Sequence, residues 1–226
     1  MEKRVLFLDN FLKLIRVHVF RQKLLVFNNS SQYWRDRYCL GGNSGSGSYG
    51  RLAKFKALVL NDFIKKNGIS TIVEFGCGDG AQLSLLNCPA YIGFDVAEKA
   101  IEICKQKFDE EKSFKFFLLD DDEFNLLEKQ ELALSLDVIY HLIEEEVFES
   151  YMKKLFDSAS RFVIIYAYSF DKTYNSKHEM GRDFLSWVGK NIEGWELFQK
   201  LENQYPYDKN SPDNTSQSDF YFFRVV

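Results

Sequence analysis

The stretch Val73-Glu74-Phe75-Gly76-Cys77-Gly78-Asp79-Gly80 constrains this chain more than any other. An apolar strand, Thr71 to Phe75, runs into three glycines at alternate positions, and a second apolar run, Tyr91-Ile92-Gly93-Phe94, ends in Asp95. Glycine at 76 and 78 lets the backbone turn with positive φ and leaves the space a ligand needs. The following segment, Ala81 to Leu86, is expected to begin a short helix whose free N–H groups face that ligand. Asp95 at the tip of the second strand can accept two hydrogen bonds from a ribose diol. Strand, glycine turn, helix, strand, acid is the layout of a nucleoside-cofactor site.

Around this unit, apolar runs alternate with helical stripes. Helices are expected over Arg51–Asn67, with Gly68 as its stop, over Ala97–Phe108, and over Glu144–Phe156, whose leading glutamates suit its positive end. Strands are expected over Phe114–Leu119, Leu132–Leu136 and Arg161–Tyr168. Strands alternating with helices imply a parallel sheet. Beyond Tyr168 the pattern predicts a helix over Lys177–Asn191, then strands Trp195–Leu201 and Phe220–Val226. The fold class is therefore α/β and Rossmann-like. The chain divides into residues 1–50, a helical extension ending in the glycine-rich loop Gly41–Gly50, and a main domain over 51–226.

At 226 residues with 46% hydrophobic content the chain can bury one sizeable core, and 22 Phe and 12 Tyr make that core and its pocket aromatic. A net charge of −4 argues against a general nucleic-acid binder. Cys39, Cys77, Cys88 and Cys104 form no CxxC pair and His is scarce, so no metal site is expected and a reduced, cytoplasmic compartment fits. No apolar run approaches the roughly 18–20 residues of a membrane span. Within residues 1–25, Leu8, Phe11, Leu12, Ile15 and Val19 form a helical stripe among Lys3, Arg4, Lys13, Arg16, Arg21 and Lys23. That helix either packs on the domain or a second subunit, or lies on the acidic inner face of a membrane. The Gly41–Gly50 run is either a lid over a reactive cofactor or a passive linker.

Gly76-x-Gly78-x-x-Ala81 satisfies the dinucleotide fingerprint formally. Glu74, two residues ahead of the first glycine, has the wrong sign for a pyrophosphate and suits a cationic ligand such as S-adenosylmethionine (SAM). A nicotinamide cofactor, or a glycine turn with no ligand, remains the alternative. Glu74-Phe-Gly-Cys-Gly-Asp-Gly80 resembles motif I of class I SAM-dependent methyltransferases, and the resemblance runs from Lys66 to Tyr168. It implies a mainly parallel seven-stranded sheet ending in an antiparallel pair, and S-adenosylhomocysteine (SAH) as the product. It assigns Glu74, Gly76, Cys77, Gly78 and Asp95 to the cofactor, Asp120 and Asp121 to the adenine, and the Leu136 backbone to the methionine part.

Leu134 to Leu142 resembles the segment after strand four in small-molecule methyltransferases, where an acid is followed four residues later by a His. Asp137 is expected to cap a helix and His141 to be a general base near the methyl group, or else only to shape the pocket. An anionic acceptor would need cations instead. Candidates are Arg37, Arg51 and Lys54 near the glycine loop, and His178 and Arg182 after strand five. Tyr33-Trp34-x-x-Arg37-Tyr38, the Gly41–Gly50 run and Asp137–Leu142 together resemble small methyltransferases of bacterial capsular polysaccharide gene sets, some associated with the O-methyl phosphoramidate decoration. That resemblance implies a small-molecule or glycan-linked acceptor whose phosphoramidate oxygen is methylated. A sugar hydroxyl, a quinone or another small metabolite is the alternative acceptor, and a non-catalytic scaffold the alternative role.

Overall fold

The computed structural model describes residues 25–119, 124, 127–170 and 173–226. The basic stripe expected within residues 1–25 lies outside the described residues, apart from Leu25 itself. Five helices and nine strands follow: α1 (Ser30–Cys39), α2 (Gly50–Asn67), β1 (Thr71–Phe75), β2 (Ala90–Asp95), α3 (Glu98–Lys107), β3 (Phe114–Leu118), β4 (Gln130–Leu136), α4 (Glu145–Asp157), β5 (Ala159–Ala167), β6 (Thr173–Ser176), β7 (Glu179–Gly181), α5 (Phe184–Asn191), β8 (Trp195–Leu201) and β9 (Asp219–Val225).

Seven strands form one sheet in the order β3-β2-β1-β4-β5-β9-β8. The first five are parallel; β9 runs antiparallel between β5 and β8, with Val163 opposite Phe223 and Trp195 opposite Val225. Strands buried on both faces read as continuous apolar runs. Alternate residues serve opposite cores. Ile72, Leu132, Leu134 and Ile164 pack with Leu60, Phe63 and Ile64 of α2. Val73, Ala133, Val163 and Ile165 pack with Phe148, Met152, Leu155 and Phe156 of α4. Burying each such large side chain contributes about 1.5–3 kcal/mol, which fixes both helix layers on the sheet.

The chain winds outward from β1 to β3, then returns to place β4 on the other side of β1. A cleft opens at such a reversal, at the carboxyl ends of the strands. Most expected elements form where their pattern places them. Two do not. Ala81–Leu86 gives only a single turn, Leu83–Leu85. Lys177–Asn191 is not one helix: β6 and β7 form a hairpin over 173–181, and α5 starts at Phe184, where the Asp183 side chain caps the Ser186 N–H.

Candidate active site

The cleft holds a cavity of about 340 Å³ lined by Glu74, Gly76, Cys77, Gly78, Asp95, Leu136 and His141 among others, so these seven expected residues come together. The amides of Gly76 and Cys77 both donate to the Phe94 carbonyl, at 2.7 and 3.0 Å, and tie the glycine loop to β2. Gly76 has φ +81° and Gly78 φ +57°, where side chains are strained. A Cβ at Gly76 would lie 2.4 Å from Val138 Cγ2, and one at Gly78 would lie 2.3 Å from Ser44 Oγ. The glycines are thus required by the protein's own packing, before any ligand is considered. Sequence reasoning attributed that space to the ligand alone.

Asp79 ties the glycine-rich run to this loop. Its carboxylate accepts from Ser44 Oγ at 2.8 Å and Tyr49 OH at 2.5 Å, while its own N–H donates to Ser44 Oγ at 3.1 Å. The segment over 41–50 therefore lies against the cleft, and Ser44 and Ser48 line the cavity.

Two carboxylates lie within the cavity wall. Asp95 accepts from the amides of Gly78 and Ala97, both at 2.9 Å, one on each oxygen. Each oxygen keeps a lone pair for a further donor. Burial raises its pKa to about 6. Glu74 accepts from Tyr91 OH at 2.5 Å. Burial raises Glu74 to about 7, against the opposing pull of the Tyr91 hydrogen bond and the Lys56 charge. Beside them, Gln82 donates through Nε2 to the Ala53 carbonyl at 3.1 Å. A carbonyl only accepts, so this contact fixes the amide orientation. Gln82 Oε1 is then a buried acceptor with no partner among the described residues.

Lys56 escaped the sequence reading. It is 1% exposed, lines the cavity, and its Nζ donates to Asp137 Oδ2 at 2.6 Å. The available signal was a lysine one turn before Leu60 on the inward stripe of α2. Asp137 caps no helix, because Ile139–His141 is a single turn rather than the start of one. Its backbone sits at φ +60° and its carboxylate binds Lys56, with Tyr140 OH at 3.0 Å on the other oxygen.

His141 lies between Trp34 and the β6–β7 hairpin. Its ring meets Trp34 edge-on with centroids 4.9 Å apart, and Nδ1 is 2.9 Å from the His178 carbonyl. Since that carbonyl can only accept, Nδ1 carries the proton and Nε2 presents its lone pair. Burial lowers the His141 pKa to about 4, so the ring is neutral near pH 7. His178 stacks on Tyr33 at 4.4 Å, and burial followed by the Arg37 charge lowers its pKa too. Arg37 lies over the Trp34 ring at 5.3 Å and donates to the Asn43 carbonyl.

None of the five expected cations, Arg37, Arg51, Lys54, His178 and Arg182, lines the cavity. Arg51 lies over Tyr205 and donates to the Asn214 carbonyl, on the side of α2 facing the C-terminal loop. Lys54 is exposed, pointing away from the inward stripe of α2. Arg182 is 7% exposed and is used up by the carbonyls of Leu142 and Ile143 and by Glu145. Asp120 and Asp121 lie outside the described residues. Among the described residues no group of three or more His, Cys, Asp and Glu could hold a metal ion, and no helix is long and apolar enough to cross a membrane.

The sheet order with its antiparallel β9 is the class I methyltransferase fold. Residues 73–164, from β1 into β5, match the family model of a methyltransferase domain. Solved structures share the fold at low identity. The methyltransferase domain of bacterial CtHen1 is 21% identical over 76% of this chain and 97% of its own, with a TM-score of 0.59. Magnesium protoporphyrin IX methyltransferase from Synechocystis, with SAM bound, is 18% identical over 91% of this chain and 97% of its own, again at 0.59. N-methyltransferase NodS from Bradyrhizobium japonicum is 16% identical over 75% of this chain and 92% of its own, also at 0.59. Among curated proteins no sequence matches the chain. The matched domain and the fold are those of a methyltransferase, an enzyme whose methyl donor is S-adenosylmethionine. The cavity fits that cofactor: Gln82 Oε1 is an unpartnered buried acceptor for an ammonium, and the Asp95 oxygens keep lone pairs for a diol.

Proposed function

We propose that this enzyme methylates an oxygen of a small polar acceptor and that His141 is its general base. The observation that carries the reading is the imidazole tautomer. Nδ1 is committed to the His178 carbonyl and burial keeps the ring neutral, which leaves the Nε2 lone pair of this cavity-lining residue to take a proton. SAM supplies an electrophilic methyl group on a sulfonium. As the acceptor oxygen bonds to that carbon and the carbon–sulfur bond breaks, His141 Nε2 receives the hydroxyl proton. Trp34, His141 and the loop over 41–50 enclose this end of the cavity and keep water from competing. In the same reading Glu74, Gly76, Cys77, Gly78, Asp95 and Leu136 hold the cofactor. Asp120 and Asp121 are assigned to its adenine from sequence alone. Residues 1–50 act as extension and lid, residues 51–226 as the catalytic domain. The enzyme works in the cytoplasm, where residues 1–25 contact a second subunit or the inner membrane face.

A sugar or other small-molecule hydroxyl is the acceptor this base suits. The phosphoramidate oxygen of a capsular polysaccharide is the second reading. Arg37 favours it, since its charge reaches both His141 and His178 and would meet an anion there. The test is turnover of His141→Asn with labelled SAM on hydroxyl and phosphoramidate acceptors. For a hydroxyl, kcat should fall about 100- to 10,000-fold while SAH affinity holds. For an anionic oxygen, His141→Asn should cost little and Arg37→Met should raise the acceptor KM. Undiminished kcat with a hydroxyl acceptor would overturn the base.

A further inference from the structure

The ion pair between Lys56 and Asp137 is buried yet faces the cavity, an arrangement that costs desolvation and gains little stability by itself. Asp137 makes it from a left-handed backbone, which adds strain for a non-glycine residue. Among the described residues the Lys56 ammonium has one hydrogen-bond acceptor, Asp137 Oδ2, for its three N–H groups. Its other near neighbour is the Tyr166 ring, 5.2 Å from Nζ. A buried cation with unused donors beside a cavity is built for an anion.

The neighbours specify which anion. Glu74 lines the same cavity, close enough for the Lys56 charge to favour its ionised form. Gln82 also lines it, and its amide is fixed by Ala53, one turn before Lys56 on α2, so that Oε1 is an orphaned acceptor. One cation beside a carboxylate and a carbonyl oxygen is the complement of an α-amino-acid zwitterion. We propose that Lys56, anchored by Asp137, is the receptor for the carboxylate of the cofactor's methionine moiety, while Glu74 and Gln82 Oε1 take its ammonium. Charges then alternate through the site: Asp137, Lys56, the ligand carboxylate, the ligand ammonium, Glu74. The proposal rests on the cofactor assignment above and adds a residue no motif supplies.

The test compares SAH with its decarboxylated analogue, which keeps the adenosine, the thioether and the amine. Calorimetry on the whole chain should show the analogue binding the wild type about tenfold to a hundredfold more weakly than SAH, the worth of a charge-assisted hydrogen bond. Lys56→Met should lose the same factor for SAH and leave the analogue's Kd unchanged within about twofold. Lys56→Arg, which keeps the charge, should retain most of the discrimination. If Lys56→Met does not fold by its melting curve, the wild type and Lys56→Arg decide the matter. Equal affinity of the wild type for both ligands, or an equal loss of both in Lys56→Met, overturns the carboxylate role. A chain that binds neither ligand overturns the cofactor assignment itself, which is a separable result.

Discussion

Between Thr71 and Ala97 one strand–loop–strand unit supplies Glu74, the glycine loop and Asp95. The His141 end of the same cavity draws Trp34 from α1 and His141 from the turn after β4, and His141 is held by the His178 carbonyl of the β6–β7 hairpin. The first end is joined by short-range hydrogen bonds, such as Gly78 to Asp95. The second is joined by contacts between distant segments, such as His141 to the His178 carbonyl and Ser30 to Glu144. A locally built site is fixed by backbone geometry. A site assembled from remote segments depends on the whole packing that brings them together, so the two ends should fail in different ways.

The largest expected effect comes where the ends meet. Val138, in the turn that carries Asp137 and His141, is the wall against which Gly76 packs. Gly76→Ala should weaken SAH binding at least about a hundredfold, from the overlap and from the left-handed backbone, which alone costs an alanine about 1–2 kcal/mol. Adding Val138→Ala should recover at least about tenfold of that loss, leaving the backbone strain. Calorimetry on both variants measures it. No recovery would mean that the ligand, not Val138, fills the space.

Arg182→Met probes the remote assembly. Removing the guanidinium leaves the Leu142 and Ile143 carbonyls without their donor beside the His141 turn. A loss of about 3 kcal/mol in stability is expected, read as a lowered Tm, with acceptor KM unchanged. A raised KM at unchanged Tm would return Arg182 to the acceptor site.

Proton linkage separates the ends by sign. Glu74 is raised from 4.5 to about 7, so the folded state holds a proton that the unfolded state has lost, and stability falls as pH rises across that window. His141 is lowered from 6.5 to about 4, so the unfolded state binds the extra proton and stability rises with pH between those values. Each contributes a slope of at most about 1.4 kcal/mol per pH unit. The two windows overlap and oppose each other, so against the wild type the slope of stability with pH should become more positive between about 4.5 and 7 in Glu74→Gln and more negative between about 4 and 6.5 in His141→Phe, as denaturation across pH 4–7.5 would read. Bound cofactor should also make SAH affinity rise with pH up to about 7 in the wild type, as Glu74 ionises, and not in Glu74→Gln.

The same contrast explains what could be read from the chain. Periodicity and the glycine turn located every strand of the main sheet and three long helices, because each is encoded by adjacent residues. They also located Asp95, which follows its strand directly. Lys56 was passed over because its meaning depends on Asp137, 81 positions away. Arg182 was expected to meet an anionic acceptor because nothing local shows that Leu142 and Ile143 would claim it. The expected helix over 177–191 failed where the hairpin is held by tertiary contacts, notably the Tyr33–His178 stack.

The glycine-rich run over 41–50 joins the two ends, and its latch predicts the smallest effect. Tyr49 OH and Ser44 both bond to Asp79, the residue between Gly78 and Gly80. If this run is a lid, it must release Asp79 to admit or discharge the cofactor. Tyr49 is 39% exposed, so water can replace part of what Tyr49→Phe removes, and the loss should be about 0.5–1.5 kcal/mol. That loss falls on the closed state, so SAH should dissociate about two- to tenfold faster with little change in its association rate. Ser44→Ala should add to the effect, because its hydroxyl makes a separate bond to the other Asp79 oxygen. Stopped-flow measurement of both rates checks this. Unchanged dissociation in the double variant would make the run a passive linker.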